Sequence, residues 1–440
     1  MTDTTLAAVV MAGGLGTRMR SATPKHLHPI LGRRMVDWVV EAAQPLELRK
    51  LVVVASPDTR ESFDGHEVAV QERPLGTGDA VRAARGALDG AASDILVLSG
   101  DTPLLTSALL ESLVAAHRDV GAAATVLTFE PADARAYGRV VRGEDGGIRR
   151  IVEAADASDD ELALRECNTS IYVFRAELLW PALERLEPRN AQGELYLTDA
   201  VRDLVEAGER VGAHLAPDPA ETEGVNTRVE LAAATSALRD RVNRGHMLAG
   251  VTISDPASTW IDPTVALEPD VVVHPFTVLR GATTVRAGAE VGPHVVAVDA
   301  EIGAGALVGP FCYLRPGTVL HTKAKAGTFV EIKNSRIGAR TKVPHLSYIG
   351  DADIGEDTNI AASNVTVNFA HQPGRGKGRT TIGRNVRTGV DNAFVAPVTI
   401  GDDAWIAAGS VITADVPPNA LAIARSRQEN KEGRGGKRDD

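Results

Sequence analysis

Two stretches of this sequence gather residue types that ordinary packing does not need. The first, VVMAGGLGTRMRSATPKHL, leaves an apolar run through Gly13, Gly14 and Gly16 and then supplies Arg18 and Lys25. Glycines let a backbone approach a ligand closely and leave amides free to hold phosphate oxygens. Arg18 and Lys25 add the positive charge that transfer at phosphorus requires. The loop is neither a GxGxxG dinucleotide fingerprint nor a P-loop, because no G-K-[ST] closes it. The second stretch, KVPHLSYIGDADIG, puts His345 and Tyr348 where aliphatic residues recur every six positions. Arg315, Lys333 and Asn359 interrupt the same repeat. Solvated charge is a poor account of so many polar interruptions within a few turns, and a histidine is suited to act as a base near neutral pH.

The elements that must carry these residues differ between the two halves of the chain. Residues 1–228 alternate β-branched runs (LAAVVMAGG, KLVVVAS, HEVAVQE, DILVLSGD, AAATVLTF) with helix-patterned segments such as MVDWVVEAAQPL, GDAVRAARGAL and SALLESLVAAH. That alternation predicts a largely parallel sheet with helices on both faces, binding its ligand beyond the carboxyl ends of the strands. Thr227 and Glu230 form a T-x-x-E capping box, and Leu231, Thr235, Leu238 and Val242 fall on one helical face, so a linker helix is expected over 229–248.

From about residue 250 the period becomes six. Ile261, Leu267, Val273, Leu279, Val285 and Val291 follow it without a break, and it resumes at Ile302, Val308, Leu314 and Leu320. It returns at Ile337, Val343 and Ile349, at Ile354 and Ile360, at Ile382, and at Ile400, Ile406 and Ile412. Neither a helix nor an alternating strand has this period. A triangular coil does, with three short strands per turn and one aliphatic side chain pointing inward from each: a hexapeptide-repeat parallel β-helix over 249–424. The segment FAHQPGRGKGR breaks the repeat. It reads as a surface excursion or as a basic arm over a phosphate-bearing ligand.

Composition narrows the class. At 440 residues the chain is too long for one core and predicts two domains. Apolar content of 44% is that of a globular protein, while 4% aromatics with 42 glycines fit thin repetitive units. The net charge of −11 argues against general nucleic-acid binding, and no apolar run is long enough to span a membrane. Cys167 and Cys312 match no metal-ligand spacing, and such sparse use fits a cytoplasmic protein. The tail 425–440 is locally basic.

The glycine loop, G-x-G-T-R-M followed by P-K, resembles the signature of sugar-nucleotide pyrophosphorylases. QERPLGTGDA resembles their base-reading segment, LSGDTPLL the stretch with the metal-binding aspartate, and EGVNTR the second metal ligand. Joined to the β-helix, in which LRPG, FVEIKN and HLSYIGD fit as well, the chain resembles the bifunctional N-acetylglucosamine-1-phosphate uridyltransferase / glucosamine-1-phosphate acetyltransferase family over nearly its whole length. The resemblance implies a Rossmann-like α/β nucleotidyltransferase domain followed by a left-handed β-helix, a homotrimer, and synthesis of UDP-N-acetylglucosamine for peptidoglycan.

Site roles follow from the same resemblance. Met11, Ala12, Gly13 and Gly14 would hold the UTP nucleotide, with Gln71, Gly76 and Thr77 at the uracil and Ser99 and Gly100 beside them. Asp101 and Asn226 would hold Mg²⁺, a hard cation suited to oxygen ligands. Arg18 and Lys25 would stabilise the transition state, and Gly138, Glu153 and Asn168 would bind the sugar. The nucleophile is a sugar phosphate, so no general base is required. In the second half His345 would be the base, Arg315 and Lys333 would bind the phosphate of glucosamine 1-phosphate, and Tyr348 and Asn359 its hydroxyls. Acetyl-CoA would lie along Ala362, Asn368, Phe369, Val390 and Ala408, with Arg425 on its phosphates.

Each residue alone has a plain structural use: an Asp after a strand as a turn residue, Asn226 as a helix cap, Lys25 as surface charge. Their joint order is what points to a site. The chain also departs from the family pattern. Leu15 stands where relatives often carry Lys, NIAASNVTVNF replaces an NIGAGT-like run ending in Asn-Tyr so that Phe369 lacks a phenol, and Val390 replaces a frequent serine. Each of the last two loses a hydrogen bond worth about 0.5–1.5 kcal/mol, which weakens binding without removing the base. Two other readings stay open: a single-activity nucleotidyltransferase on a structural or regulatory β-helix, and a non-catalytic regulatory subunit.

Overall fold

The structure, a computed structural model, describes residues 4–434 apart from 15, 135, 145, 370–375 and 433. Leu15 and the centre of the FAHQPGRGKGR excursion therefore lie outside the described residues, as does most of the tail beyond 432. The chain forms two compact units, Met1–Leu238 and Arg239–Asp440.

The first unit is built on a sheet whose strands we number β1 (Leu6–Met11), β2 (Lys50–Ala55), β3 (Glu67–Val70), β4 (Asp94–Ser99), β5 (Ala124–Phe129), β6 (Arg139–Arg142), β7 (Ile148–Val152), β8 (Cys167–Arg175) and β9 (Val211–Leu215). The order across it is β9-β5-β8-β4-β1-β2-β3, with the β6–β7 hairpin joined to β8. β1, fully buried, lies parallel to both β2 and β4, so the glycine loop leaves the centre of the sheet beside the end of β4. All five expected strands are present. The sheet is not parallel throughout, because β8 runs antiparallel to both β4 and β5. Its register shifts between Asn168 and Tyr172, where Ser170 takes a left-handed φ of 61°. Helices Met35–Ala43 and Ser107–Val120 bury Val36, Val39, Leu110 and Leu113 against one face of the sheet. Thr77–Ala83, Ala176–Glu184 and Leu197–Glu206 bury Val81, Leu179 and Val201 against the other.

The capping box forms as its spacing requires: the Thr227 hydroxyl accepts from the Glu230 amide at 3.2 Å, and the Glu230 carboxylate accepts from the Thr227 amide at 2.8 Å. The helix it opens runs Arg228–Leu248, and the division between the units falls within it.

The second unit is the hexapeptide coil, a left-handed parallel β-helix. Its strands, mostly two to four residues long, stack in parallel columns that make three faces, and Lys342, Asn359 and Arg387 bridge one column across the break in the repeat. Register runs from coil to coil: Ile261 pairs with Leu279, Leu279 with Ala297, Ala297 with Leu314, and Leu314 with Ile332. Every aliphatic position of the six-residue period enters one buried core except Leu267, which is partly exposed.

One edge of the prism is a line of positive-φ turns. Successive coils turn it at Phe276, His294, Phe311, Phe329, Leu346, Ser363 and Asp391, all with φ between 48° and 59°. Such a φ disfavours L-residues. Phe276, His294, Phe311 and Phe329 stack along this edge with ring centroids 4.7, 4.7 and 5.2 Å apart. Among the described residues no helix is long and apolar enough to cross a membrane.

Inward side chains from all three faces pack into one buried cluster, which leaves no slack for truncation. Ile302→Ala leaves a cavity in a fully buried layer and is expected to cost about 2–5 kcal/mol, read from urea unfolding of the full chain.

Candidate active sites

In the first unit the loop after β1 is shaped by what passes beneath it. Gly16 has φ 61°, and a Cβ there would stand 2.5 Å from the Lys25 Cβ, so only glycine lets Lys25 come up under the loop. Lys25 Nζ then bonds the Asp101 carboxylate and donates to Asn226 Oδ1 at 3.0 Å. Arg18 donates to the same asparagine oxygen at 2.9 Å, and Ser99 Oγ donates to Asp101 Oδ1 at 2.6 Å. Arg18, Lys25, Ser99, Asp101 and Asn226, scattered over more than two hundred positions, thus share one cluster. All but Lys25 line a cleft of about 410 Å³ with Tyr137, Ser170 and Glu230. Asp101 follows the carboxyl end of β4, and its backbone oxygen accepts from the Val225 amide at 2.8 Å, which ties the segment carrying Asn226 to it.

Electrostatics at Asp101 is decided by one neighbour. Burial alone would push the carboxyl up, but Lys25 and the bond from Ser99 outweigh it and hold the group down at about 2. Next to it the His26 imidazole, buried between the two loops, is pulled down to about 4 by burial and by Lys25. The site therefore holds a carboxylate and a neutral imidazole at neutral pH. Asp101 Oδ2 and Asn226 Oδ1 converge on a single bonded point, and both are oxygens. That donor set fits a hard divalent cation that takes its other ligands from phosphate and water.

Two further groups flank the cleft. Gln71 is buried and donates to Gly76 O and Asp79 Oδ2, both at 3.0 Å, while its Oε1 faces Gly13. Gly76, at φ 115°, packs so closely on Leu195 that a Cβ would meet the Leu195 carbonyl at 2.5 Å. Thr77 Oγ1 accepts from the Leu197 amide at 3.0 Å, so its hydroxyl braces a neighbouring helix. On the other side the Asn168 amide donates to Gly138 O at 2.9 Å, Asn168 Nδ2 donates to the Tyr172 hydroxyl at 2.7 Å, and Gly138 lies against Glu153. Met11 ends β1 and Ala12 follows it, with Gly100 donating to Met11 O at 2.9 Å and Ala12 to Val54 O at 2.8 Å.

In the β-helix the expected residues fall into three groups. His345 stands at the edge of positive-φ turns, and by register Ala362, Val390 and Ala408 occupy the same position on successive coils. The Asp391 amide donates to Ala362 O at 3.0 Å and the Gly409 amide to Val390 O at 2.8 Å, with Arg425 over Gly409. Arg315, Lys333 and Tyr348 lie on the face that begins at this edge. Asn368 lies at that face's far edge, where it bonds the Asp351 carboxylate, and Phe369 follows it, half exposed. Asn359 points from the preceding face, in a column with Lys342 and Arg387. One chain does not bring Asn359 together with Arg315 and Lys333.

Several residues at these sites carry no signal in the sequence. Tyr137 accepts from the Gly224 amide at 3.2 Å in the cleft wall, and Glu230, read as a cap, also accepts from the Asn226 amide at 2.8 Å. Lys377, from the basic excursion, lies beside Lys333 and pulls that ammonium below its ordinary value. Arg315 pairs with the Glu331 carboxylate at 2.8 Å and Asp351 lies near both lysines, so the three cations outnumber the two carboxylates beside them and could hold one further anion. The run GRGKGR hints at such a role without showing which of its cations returns to the coil.

Residues 8–211 match the family model described as MobA-like NTP transferase domain. A protein of Streptomyces coelicolor named Bifunctional protein GlmU is 51% identical, covering 97% of this chain and 93% of its own. Proteins of the same name from Mycolicibacterium vanbaalenii and an Exiguobacterium species are 47% and 46% identical, each over 97% of this chain and over 92% and 98% of their own. The chain belongs to the GlmU family. GlmU relatives thus match both units, the β-helix as well as the nucleotidyltransferase-like domain.

Glu153 offers a test that separates site from scaffold. Burial, with Asp156 and Asp199 adding, raises its carboxyl above the ordinary 4.5, while the Thr198 hydroxyl pulls the other way. The folded state therefore binds the proton more tightly than the unfolded chain, and ionised Glu153 destabilises the fold increasingly as pH rises through and above 4.5. Glu153→Gln is expected to raise Tm at pH 7, to leave it nearly unchanged at pH 4, and to weaken sugar-phosphate binding.

Proposed function

We propose that this chain is a bifunctional enzyme of UDP-N-acetylglucosamine synthesis. It transfers acetyl from acetyl-CoA to glucosamine 1-phosphate, and then uridylyl from UTP to N-acetylglucosamine 1-phosphate with release of pyrophosphate. The observation that carries this reading is that family likeness spans both units, each with its own cluster of converging polar groups. We assign uridylyl transfer to 1–228, a linker to 229–248, acetyl transfer to 249–424 and a basic tail to 425–440.

In the first site the phosphate of the sugar attacks the α-phosphorus of UTP in line. The P–O bond to pyrophosphate breaks, and no proton need move because the nucleophile is already anionic. Met11 to Gly14 hold the nucleotide with backbone amides, Gln71, Gly76 and Thr77 lie at the base, and Gly138, Glu153 and Asn168 hold the sugar. Asp101 and Asn226 would hold Mg²⁺, which supplies charge neutralisation on the phosphates when bound. Arg18 and Lys25 stabilise charge on the transferring and departing oxygens. The work is positioning and electrostatics.

In the second site His345 removes a proton from the substrate ammonium, whose nitrogen otherwise has no lone pair. The amine attacks the thioester carbonyl, a C–N bond forms, the C–S bond breaks, and the CoA sulfur takes a proton. Arg315 and Lys333, with Lys377, bind the phosphate. The edge from His345 through Ala362, Val390 and Ala408 to Arg425 gives acetyl-CoA a track that ends on the base.

The assembly we propose is a homotrimer. Outward side chains on adjoining faces of a triangular prism diverge, so a groove between two copies supplies Asn359 from one and Arg315, Lys333 and Tyr348 from the other. The exposed stack of Phe276, His294, Phe311 and Phe329 along the edge supports the same packing. A cytoplasmic location fits the two buried free cysteines and the nucleotide and thioester substrates.

The first measurement is thiol release from acetyl-CoA with and without glucosamine 1-phosphate. Release that requires the sugar phosphate is expected. Its absence, while UTP and N-acetylglucosamine 1-phosphate still yield pyrophosphate, would leave a single-activity enzyme on a β-helix stem. Variants divide the sites: His345→Ala should lower acetyl transfer at least about a hundredfold and spare uridylyl transfer, and Asp101→Ala should do the reverse. Equal loss of both activities in either variant contradicts two separate sites. Phe369→Tyr is expected to lower KM for acetyl-CoA severalfold with kcat little changed, since it restores one hydrogen bond worth about 1 kcal/mol.

A further inference from the structure

The two oxygens proposed to hold a divalent cation are both already engaged by cationic side chains. Lys25 Nζ bonds Asp101 Oδ2 and donates to Asn226 Oδ1 at 3.0 Å, and Arg18 donates to that same asparagine oxygen at 2.9 Å. The ammonium is not a passing surface charge. Its side chain is 11% exposed, and the loop above it is shaped to admit its stem at Gly16. A carboxylate as buried as Asp101 needs a positive partner at all times, because a lone buried charge is strongly destabilising. A divalent ion placed between the same two oxygens would meet Lys25 at contact distance.

We infer that Lys25 is the resident counter-cation of the free site, and that it must leave Asp101 and Asn226 before a divalent ion can enter. Incoming nucleotide phosphates supply the other anion that can hold the ammonium. Nucleotide arrival therefore opens the metal position, and metal and nucleotide bind as a coupled pair. Lys25 serves two anions in turn: the carboxylate while the site is empty, and a phosphate once the site is filled. This coupling rests on reading Asp101 and Asn226 as metal ligands, and the experiment keeps the two claims apart.

Mn²⁺ is titrated alone, without nucleotide, into the full-length protein, and free Mn²⁺ is counted by electron paramagnetic resonance. Wild type and Lys25→Arg, which keep a cation at the site, are expected to bind weakly. Lys25→Met and Lys25→Gln are expected to bind at least tenfold more tightly, and adding Asp101→Asn to either should abolish that gain. Thermal melting with and without Mn²⁺ gives a second readout, in which the neutral variants gain more Tm from the ion than wild type does. If both neutral variants match wild type while the double variants bind more weakly, the role of Lys25 is overturned and the ligand assignment stands. If the double variants bind as tightly as the neutral singles, the ligand assignment itself falls.

Discussion

The first unit is organised around a buried negative charge. Asp101 stands at the carboxyl end of a central strand, and burial there would favour its neutral form if Lys25 did not lie against it. Meeting that demand shapes much of the surrounding backbone. The loop after β1 needs glycine at 16 so that the lysine stem can pass, and the Val225 amide is tied to the Asp101 carbonyl, which brings Asn226 within reach. Charge compensation and ligand placement are thus one arrangement. The groups that balance Asp101 are the groups that would handle phosphates and a cation.

The β-helix answers a different constraint. Each coil must bury one aliphatic side chain per face and turn tightly between faces, so its interior is uniform and cannot carry chemistry. Side chains available for chemistry are confined to edges and outward positions. That is where His345, Ala362, Val390 and Ala408 line up, and where Arg315, Lys333 and Lys377 gather on the neighbouring face. Parallel register makes such columns easy to build, since a residue type repeated at one coil spacing is automatically a line in space.

How much of this was legible beforehand depended on range. The six-residue period could be read directly, because the interaction that enforces it is local to each turn and recurs; every position except Leu267 was buried as expected. The capping box at Thr227 and Glu230 was equally readable, since its partners are three residues apart. The antiparallel insertion of β8 was not, because strand direction depends on which neighbours a strand finds in space. Nor were the roles of Tyr137 and Lys377 legible, whose partners lie far along the chain.

Local patterns along the chain suffice for the two architectures and for the order of the candidate site residues, because periodicity, turn chemistry and motif spacing are short-range properties. Only the tertiary structure decided that Lys25, Asp101 and Asn226 share bonded oxygens, that Thr77 braces a neighbouring helix, and that Asn359 faces away from Arg315 and Lys333. These facts follow from how strands pair and which way faces point. Such relations join residues distant in sequence through backbone geometry, and no local pattern of side chains encodes them.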